Sequence, residues 1–237
     1  MGKRIAIIGA IKDEIAGIKK EMQITDTLRW PTGNAFVGEW QGRTIVLIRS
    51  GMGCDRARRA LAEMAKKFEL EHVISIGYAG ALDPALKVGD LVVADQVVYH
   101  ETMKNYSLDK ELLSMMPEAR RGTLLTVDSL AAKPQEKKAL REKYSAVAVD
   151  METFALAEGA ETHHLPLASV RAITDTANQE LIDCSPLVAD DGDVSKLKAG
   201  WHILTHPGDL KGMIDLGQHA KLATANLTEY VSQWIQE

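Results

Sequence analysis

The sequence predicts an α/β domain built on a buried, largely parallel β-sheet. Two observations carry this prediction: short apolar runs alternate with longer amphipathic stretches along the 237 residues, and the apolar runs are nearly continuous. Strands buried on both faces of a parallel sheet give such runs, and the amphipathic stretches between them are typical of helices that cover the sheet. We find no internal repeat, low-complexity tract or linker, so one domain is expected.

Seven apolar runs are predicted strands, and three amphipathic stretches are predicted helices. The strands fall at residues 5–8, 44–48, 73–76, 91–94, 122–127, 146–149 and 167–173. The helices fall at residues 56–68, 151–161 and 210–235. Asp55 is the expected N-cap of the first helix. Three strands lead into glycine-containing segments that are predicted turns, beginning at Gly9, Ser50 and Gly77.

Polar residues and glycines follow the predicted strands. In open α/β sheets, ligands bind beyond the carboxyl ends of the strands. The segments at these ends are therefore expected to converge on one site. They are marked by Gly9, Ser50, Gly77, Asp128, Glu152 and Asp175.

The composition disfavours several classes of function. The formal charge is −5, from 28 Lys and Arg against 33 Asp and Glu, which argues against a dedicated nucleic-acid binder. No run of about 18 apolar residues predicts a membrane span, and the run at residues 5–8 is too short for a signal peptide. The cysteines, Cys54 and Cys184, are too few for a disulfide framework. A cytoplasmic protein is expected.

The familiar cofactor and metal motifs are missing from the sequence. The glycine segments at residues 50–53 and 77–80 lack the Gly-Lys-Ser/Thr of a phosphate-binding loop and the spacing of a dinucleotide-binding turn. His163 and His164 are adjacent and fit no zinc motif, and no GxSxG elbow is present. On spacing alone, tight turns and ligand-binding loops explain the two glycine segments equally well.

Three acidic residues that end or follow predicted strands are candidates for acid–base chemistry. Glu14, taken alone, is more typical of a solvated carboxylate, and Glu152 stands at a strand-to-helix junction where a helix cap is an alternative role. Asp175 follows Thr174 at the end of the predicted strand at residues 167–173. A carboxyl group at the mouth of a sheet is well placed to donate a proton.

Taken together, these motifs resemble the nucleoside phosphorylase/nucleosidase superfamily, and within it they look most like 5′-methylthioadenosine/S-adenosylhomocysteine nucleosidases. The resemblance covers residues 5–178, and its specificity lies in the order and spacing of the landmarks. These are Ile7-Ile8-Gly9-Ala10 with Glu14, Ser50-Gly51-Met52-Gly53, Gly77-Tyr78-Ala79-Gly80, Lys87-Val88-Gly89-Asp90, Val149-Asp150-Met151-Glu152 and Arg171-Ala172-Ile173-Thr174-Asp175. The resemblance implies one domain over residues 1–237, with a central twisted, mixed sheet flanked by helices.

The resemblance also implies a role for each acid. Asp175 would donate a proton to N7 of a purine, and Glu152 would bind the ribose hydroxyls. Glu14, helped by Arg171, would orient or deprotonate the attacking water. The reaction would release adenine from a 5′-substituted adenosine without a metal or an organic cofactor. Substrate contacts would come from Ser50, Gly77, Tyr78, Leu130, Ala131, Asp150 and Met151.

Water is the expected nucleophile. Phosphorylases of this superfamily hold phosphate with an arginine where this chain has Ser75, and the amino-terminal phosphate loop with its arginine is also missing. The alternative is a phosphorylase with phosphate as co-substrate, in which the phosphate site is supplied by Arg56, Arg58 or a partner subunit. Tyr78 replaces the small hydroxyl residue expected in its segment.

The chain beyond Asn178 departs from the nucleosidase pattern. Residues 186–193 and 201–207 look more like the hopanoid-associated branch of the superfamily, which is proposed to remove adenine from adenosylhopane. Two alternatives to an enzyme remain: a nucleoside-binding protein without catalysis and an oligomer with a purely structural role. The resemblance implies a small-molecule purine nucleoside as the ligand and a homodimer or larger homo-oligomer.

Overall fold

A computed structural model describes residues 2–181 and 210–236 of the chain. In these residues ten strands form one sheet, and six helices flank it. The strands are β1 (Arg4–Gly9), β2 (Gln23–Trp30), β3 (Gly33–Trp40), β4 (Arg43–Arg49), β5 (Leu70–Ala81), β6 (Leu91–Tyr99), β7 (Asn105–Ser107), β8 (Arg120–Thr126), β9 (Ala148–Asp150) and β10 (Leu167–Asp175). The helices are α1 (Lys12–Glu21), α2 (Cys54–Lys67), α3 (Lys110–Ser114), α4 (Pro134–Tyr144), α5 (Thr153–Thr162) and α6 (Leu210–Gln236).

The sheet is mixed, as expected, and part of it closes on itself. β5 pairs in parallel with β1 and β10, and it pairs antiparallel with β9. β10 also pairs with β6, β6 with β8 and β8 with β9, so these five strands form a closed ring. On the other side of β1 the sheet continues through β4, β3 and β2 as an open wing. β5 is therefore the strand of the ring that joins it, through β1, to the wing.

The open wing contains two strands that the apolar pattern does not predict. β2 and β3 form an antiparallel hairpin, and β3 pairs with β4. Most side chains of β2 are exposed, so this strand carries no apolar run to reveal it. The pattern also misses α1, α3, α4 and the three-residue strand β7.

The segment Gly77–Gly80 is not a turn, which corrects the sequence prediction. β5 runs through it without a break, paired with β10 and β9. Neighbouring acidic side chains occupy the space that a Cβ atom would need at two of its positions. A Cβ on residue 77 would stand 2.8 Å from Oε1 of Glu14, and one on residue 80 would stand 2.9 Å from Oδ2 of Asp175. These glycines therefore admit carboxyl groups instead of changing the chain direction.

The predicted N-cap of α2 is also wrong. The helix begins at Cys54, so Asp55 lies in its first turn, and Gly53 is the N-cap with a φ of 92°. Glycine adopts positive φ without the steric cost of a side chain. In this conformation the Gly53 N–H points to the carboxylate of Glu152. The predictions for α5 and α6 hold to within about two residues.

The core lies between the sheet and the helices that cover it. α6 packs against β10 and α1, and it buries Leu227 and Val231 completely. Two charged side chains are as deeply buried as this aliphatic core: Arg171 is 2% exposed and Lys137 is 0% exposed. A charged side chain is buried only when it is well paired, so each of these two cations is expected to contact a carboxylate.

Two expectations fall outside the described residues. The first is the resemblance of residues 186–193 and 201–207 to the hopanoid-associated branch. The second concerns Cys184. Within residues 2–181 and 210–236, the structure contains no helix that is both long and apolar enough to cross a membrane.

Candidate active site

The three predicted acids lie around one strand. β1, β9 and β10 all pair with β5. Glu14 lies in the helix that follows β1, Glu152 is the second residue after β9, and Asp175 is the last residue of β10. The sheet topology therefore gathers acids that are far apart in the sequence at the carboxyl ends of neighbouring strands.

Glu14 is held by three backbone N–H groups from two segments. Its Oε2 atom accepts hydrogen bonds from Ala10 at 2.6 Å and Ile11 at 3.0 Å, just before α1. Its Oε1 atom accepts one from Tyr78 of β5 at 2.9 Å. Burial raises the pKa of Glu14 above the usual value of 4.5, although these hydrogen bonds and the charge of Arg171 oppose the shift. The carboxyl group is thus fixed in position and poised to take up a proton.

Glu152 is positioned by the turn that precedes α2. Its Oε1 atom accepts a hydrogen bond from the Gly53 N–H at 2.7 Å. Burial raises its pKa from 4.5 to about 8, and the negative charges of Asp150 and Glu14 add to the shift. The influence of Glu14 on this pKa indicates that the two glutamates lie near each other.

The two glutamates interact electrostatically, because the charge of Glu14 contributes to the raised pKa of Glu152. Each raised pKa arises first from burial, and the charge of Arg171 opposes the shift at both sites. Two coupled carboxyl groups in one low-dielectric region favour a state in which only one of them is ionised. The pair can therefore hold a proton near neutral pH while it presents a carboxylate to a ligand.

Arg171 and Asp150 form a buried ion pair, and the charge of Arg171 acts on both glutamates. The Nε atom of Arg171 donates to Oδ2 of Asp150 at 3.0 Å, and one Nη atom donates to the Ser75 hydroxyl at 2.8 Å. Asp150 also accepts from the Thr126 hydroxyl at 2.7 Å and from the Thr153 backbone and hydroxyl. Both predicted site residues are thus engaged in holding β5, β9 and β10 together.

Asp175 lies on the other side of β5, in a separate set of contacts. Its Oδ2 atom accepts a hydrogen bond from Nζ of Lys137 at 2.6 Å, and its Oδ1 atom accepts one from the Thr174 hydroxyl at 3.0 Å. The side chain is 6% exposed. The missing side chain at Gly80 leaves room for this carboxyl group. Asp175 is therefore fixed against β5, as Glu14 is at Gly77.

Lys137 is a residue of this region that the sequence reasoning misses. It lies in the first turn of α4, a helix that the apolar pattern does not predict. The helical spacing of the sequence does contain a sign of its burial. Lys137 lies three residues before Leu140 and seven before Tyr144, and both of these pack against the core. A lysine on the apolar stripe of a helix indicates a buried ammonium with a partner.

Four other predicted contact residues follow the strands β4, β8 and β9. Ser50 is buried, and its hydroxyl donates to the carbonyl of the next residue at 2.9 Å. Met151 is partly buried between two acids of the site. Leu130 and Ala131 lie in the loop before α4, where Leu130 is 46% exposed and Ala131 is buried. Leu130 and Met151 thus remain accessible to a ligand, whereas the Ser50 hydroxyl is engaged within the chain.

The side chain of Tyr78 points away from the acids, towards α6. Its hydroxyl donates to the carbonyl of Ala220 at 3.2 Å and lies 2.5 Å from the hydroxyl of Thr224. Burial raises the pKa of this hydroxyl above its usual value of 10. The backbone N–H of Tyr78, which binds Glu14, is its link to the site. Gly77 likewise contributes through the space it leaves.

A cavity of about 450 Å³ opens beside Gly53, the residue that holds Glu152. Cys54, Tyr99 and Asp128 are among the residues that line it. Asp128 accepts hydrogen bonds from the Tyr99 hydroxyl at 2.8 Å and from Nε2 of His100 at 2.9 Å. The bond from His100 is the main cause of the lowered pKa of Asp128.

Among the described residues, one cluster has the spacing of a metal site. The ligand atoms of His100, Glu101 and Asp128 lie within 4.8 Å of one another. Glu101 and Asp128 are exposed, and Asp128 already has two hydrogen-bond donors in Tyr99 and His100. The cluster is therefore satisfied within the chain.

Comparison with known proteins identifies the family of the chain. The family model described as the phosphorylase superfamily matches residues 4–196. A 5′-methylthioadenosine/S-adenosylhomocysteine nucleosidase from Marinomonas sp. (strain MWYL1) is 32% identical in an alignment of 201 positions that covers 74% of this chain and 87% of that protein. The nucleosidase of the same name from Bacillus subtilis (strain 168) is 26% identical over 75% of this chain and 87% of its own length.

Solved structures support the fold. A 5′-methylthioadenosine/S-adenosylhomocysteine nucleosidase from Neisseria meningitidis, in complex with methylthio-immucillin-A, has a TM-score of 0.79 and 23% identity, and the match covers 99% of each chain. The futalosine hydrolase of Helicobacter pylori has a TM-score of 0.78 and 17% identity over 98% of this chain and 97% of its own. Since nucleosidases of different substrates share the fold, it does not by itself select a substrate. The family model and the Marinomonas relative together show that the chain belongs to the phosphorylase superfamily, in which it is similar to 5′-methylthioadenosine/S-adenosylhomocysteine nucleosidases.

Proposed function

We propose that the chain is a purine nucleosidase that uses water to cleave the N-glycosidic bond of a 5′-substituted adenosine and release adenine. The observation that carries this proposal is the gathering of three carboxyl groups at the carboxyl ends of strands paired with β5: those of Glu14 and Asp175, which are buried, and that of Glu152, which is partly buried. The names of the curated relatives support the same activity.

Asp175 is the proposed proton donor to the purine. Cleavage of the bond between C1′ and N9 sends its electron pair into the base, and protonation at N7 lets the base leave as a neutral molecule. The Asp175 carboxyl group is fixed by contacts to both of its oxygens. The exposed Leu130 and the buried Ala131 precede α4, the helix that carries the partner of Asp175, so this loop is the proposed contact for the base.

Glu152 is the proposed partner of the ribose, with Met151 beside the sugar. Glu152 binds the ribose hydroxyls in its protonated form, and the sugar, which resembles an oxocarbenium ion as the N-glycosidic bond breaks, is stabilised by the nearby carboxylate of Glu14. Glu14 is the proposed base for the attacking water. The water gives its hydroxide to C1′ and its proton to Glu14, while Asp175 gives its proton to the purine. Proton exchange with bulk solvent then returns Glu14 and Asp175 to their starting protonation states, so the net reaction is the addition of one water.

The surroundings of Arg171 support water over phosphate as the nucleophile. Phosphate is held best by a cation with free N–H groups that can bind two oxygens at once. Arg171 donates instead to Asp150, Ser75 and its own strand, and Ser75 occupies the position where the resemblance places the phosphate-binding arginine. The proposed reaction calls for no organic cofactor or metal ion, because its proton transfers and charge stabilisation come from carboxyl groups.

Release of adenine from 5′-methylthioadenosine and from adenosines with other 5′ substituents, with and without phosphate, tests the proposal. We expect the same rate in both conditions, and in H₂¹⁸O we expect the label at C1 of the released sugar. Asp175→Asn should lower kcat by about 10²–10⁴-fold, the range for loss of a general acid. Release that depends on phosphate and yields a sugar 1-phosphate would instead identify a phosphorylase, and retention of the intact nucleoside would identify a binding protein.

The homo-oligomer implied by the family resemblance is part of the proposal. Sedimentation at several protein concentrations tests it, because an assembly that forms at the working concentration shifts the sedimentation coefficient above that of a 26.0 kDa chain.

A further inference from the structure

We propose that Lys137 is a positioning residue that fixes the carboxyl group of Asp175, so that Oδ1 carries the proton that is given to the purine. The inference rests on the proposed function, in which Asp175 protonates the base. It adds a residue that neither the sequence reasoning nor the comparisons assign, and it explains why an ammonium group lies beside a proton donor.

All three N–H bonds of the Lys137 ammonium have acceptors in the described chain. Nζ lies 2.6 Å from Oδ2 of Asp175, 2.9 Å from the carbonyl of Thr176 and 3.1 Å from the carbonyl of Gln179. The side chain is 0% exposed, and that of Asp175 is 6% exposed. The ammonium therefore has one geometry, and it cannot turn to solvent.

The place of Lys137 in the fold is unfavourable for a cation. It is the fourth residue of α4, close to the positive end of the helix dipole, where basic residues are disfavoured. Complete burial adds the cost of removing the ammonium from water. These costs are offset by the carboxylate and the two carbonyl groups, so the packing of this region is built around the contact with Asp175.

The contact selects the oxygen of Asp175 that can act as an acid. The ammonium donates to Oδ2, so a proton on that oxygen would face another donor. The Thr174 hydroxyl, which donates to Oδ1 at 3.0 Å, can instead rotate and accept, whereas an ammonium group can only donate. When Asp175 is protonated, the proton therefore lies on Oδ1. In the reaction the O–H bond at Oδ1 breaks, the N7–H bond forms, and the C1′–N9 electron pair enters the purine. Lys137 keeps its protons throughout.

Lys137 also ties the acid to the loop proposed to contact the base. α4 directly follows the loop that carries Leu130 and Ala131, and the ammonium joins this helix to the carbonyls of Thr176 and Gln179 after β10. One side chain thus sets the separation between the proton donor and the base-binding loop. A displacement of about 1 Å between reacting groups lowers rates by about 10²-fold.

The test compares Lys137→Gln with Lys138→Gln on two substrates. Lys138 is the matched control, since it is the next residue of α4 and its side chain is 77% exposed. The substrates are 5′-methylthioadenosine, whose base needs a proton to leave, and the 4-nitrophenyl riboside with the same 5′ group, whose leaving group needs none. For Lys137→Gln we expect kcat for adenine release to fall by about 10- to 100-fold, with little change in KM and an unchanged rate of nitrophenolate release. Lys138→Gln should match the wild-type chain on both substrates.

A double-mutant cycle keeps the proposal testable if the single variant folds poorly. Lys137→Gln combined with Asp175→Asn replaces the ion pair with a neutral pair, which folds more readily than an unpaired buried charge. Because Lys137 acts through Asp175, the double variant should release adenine as fast as Asp175→Asn alone. A further tenfold loss in the double variant, a parallel loss on both substrates or an unchanged kcat in Lys137→Gln would each overturn the assignment. Absence of adenine release by the wild-type chain would overturn the proposed function and this inference together.

Discussion

Gly77 of β5 and Glu14 of α1 are packed so closely that residue 77 has no room for a side chain. A Cβ atom there would stand 2.8 Å from Oε1 of Glu14 and 3.2 Å from Cδ. The same Oε1 atom accepts the hydrogen bond from Tyr78. The strand therefore both makes space for the carboxyl group and donates to it, so the position of Glu14 depends directly on the absence of a side chain at residue 77.

Gly77→Ala should lower activity far more than stability. The added methyl group must displace the Glu14 carboxyl group and break its bond to Tyr78. We expect kcat to fall by about 10²-fold, and the free energy of unfolding to fall by about 1–3 kcal/mol. Adenine release and urea unfolding measure the two effects. Gly217→Ala is the control, because no atom lies within 4 Å of a Cβ at that exposed site, and it should retain full activity.

The raised pKa of Glu152 predicts how stability changes with pH. Its value is about 8 in the folded chain and 4.5 when unperturbed, so between these values the folded state holds a proton that the unfolded state has released. The contribution of this group to stability is therefore fully present below about pH 4.5 and is lost as the pH rises through about 8. Glu152→Gln carries no such titration.

Thermal unfolding at pH 5 and pH 8 checks this sign. We expect Tm of the wild-type chain to fall relative to Glu152→Gln by several degrees, at about 2–4 °C for each kcal/mol. Glu63→Gln, at an exposed surface pair with Lys66, should follow the wild-type curve. If Tm of the wild-type chain instead rises relative to that of Glu152→Gln between pH 5 and pH 8, the raised pKa of Glu152 is contradicted.

Asp150→Asn should act mainly on stability. The substitution leaves Arg171, which is 2% exposed, without its buried carboxylate partner. Removal of one member of such a pair costs about 3–5 kcal/mol. Urea unfolding measures this loss. The control is Glu158→Gln, which breaks a partly exposed pair with Arg58 and should cost about 1 kcal/mol or less. Equal losses in the two variants would show that the Arg171–Asp150 pair is not effectively buried.

Residue patterns predict the fold class and the strand ends where the acids lie, because both depend on local sequence. Continuous apolar runs mark the inner strands, whereas β2 escapes prediction because it is mostly exposed. Gly77 and Gly80 have the signature of a turn but lie inside β5, since the glycines there make room for side chains that arrive from elsewhere in the chain. The role of Lys137 is not predicted for a related reason. Its partner Asp175 lies 38 residues away in the sequence, so only the tertiary structure reveals the ion pair.

Tyr78→Phe separates the two roles available to this residue. The hydroxyl is directed to α6, where it meets the Ala220 carbonyl and the Thr224 hydroxyl, while the backbone N–H binds Glu14. Loss of the hydroxyl removes a partly buried hydrogen bond, so we expect the free energy of unfolding to fall by about 1 kcal/mol. Because phenylalanine keeps the backbone N–H and the ring packing, kcat and KM for adenine release should stay within about twofold of wild type. A loss of kcat of about tenfold at an unchanged Tm would place the Tyr78 hydroxyl at the reacting atoms, and the contact with α6 would then belong to the unliganded state alone.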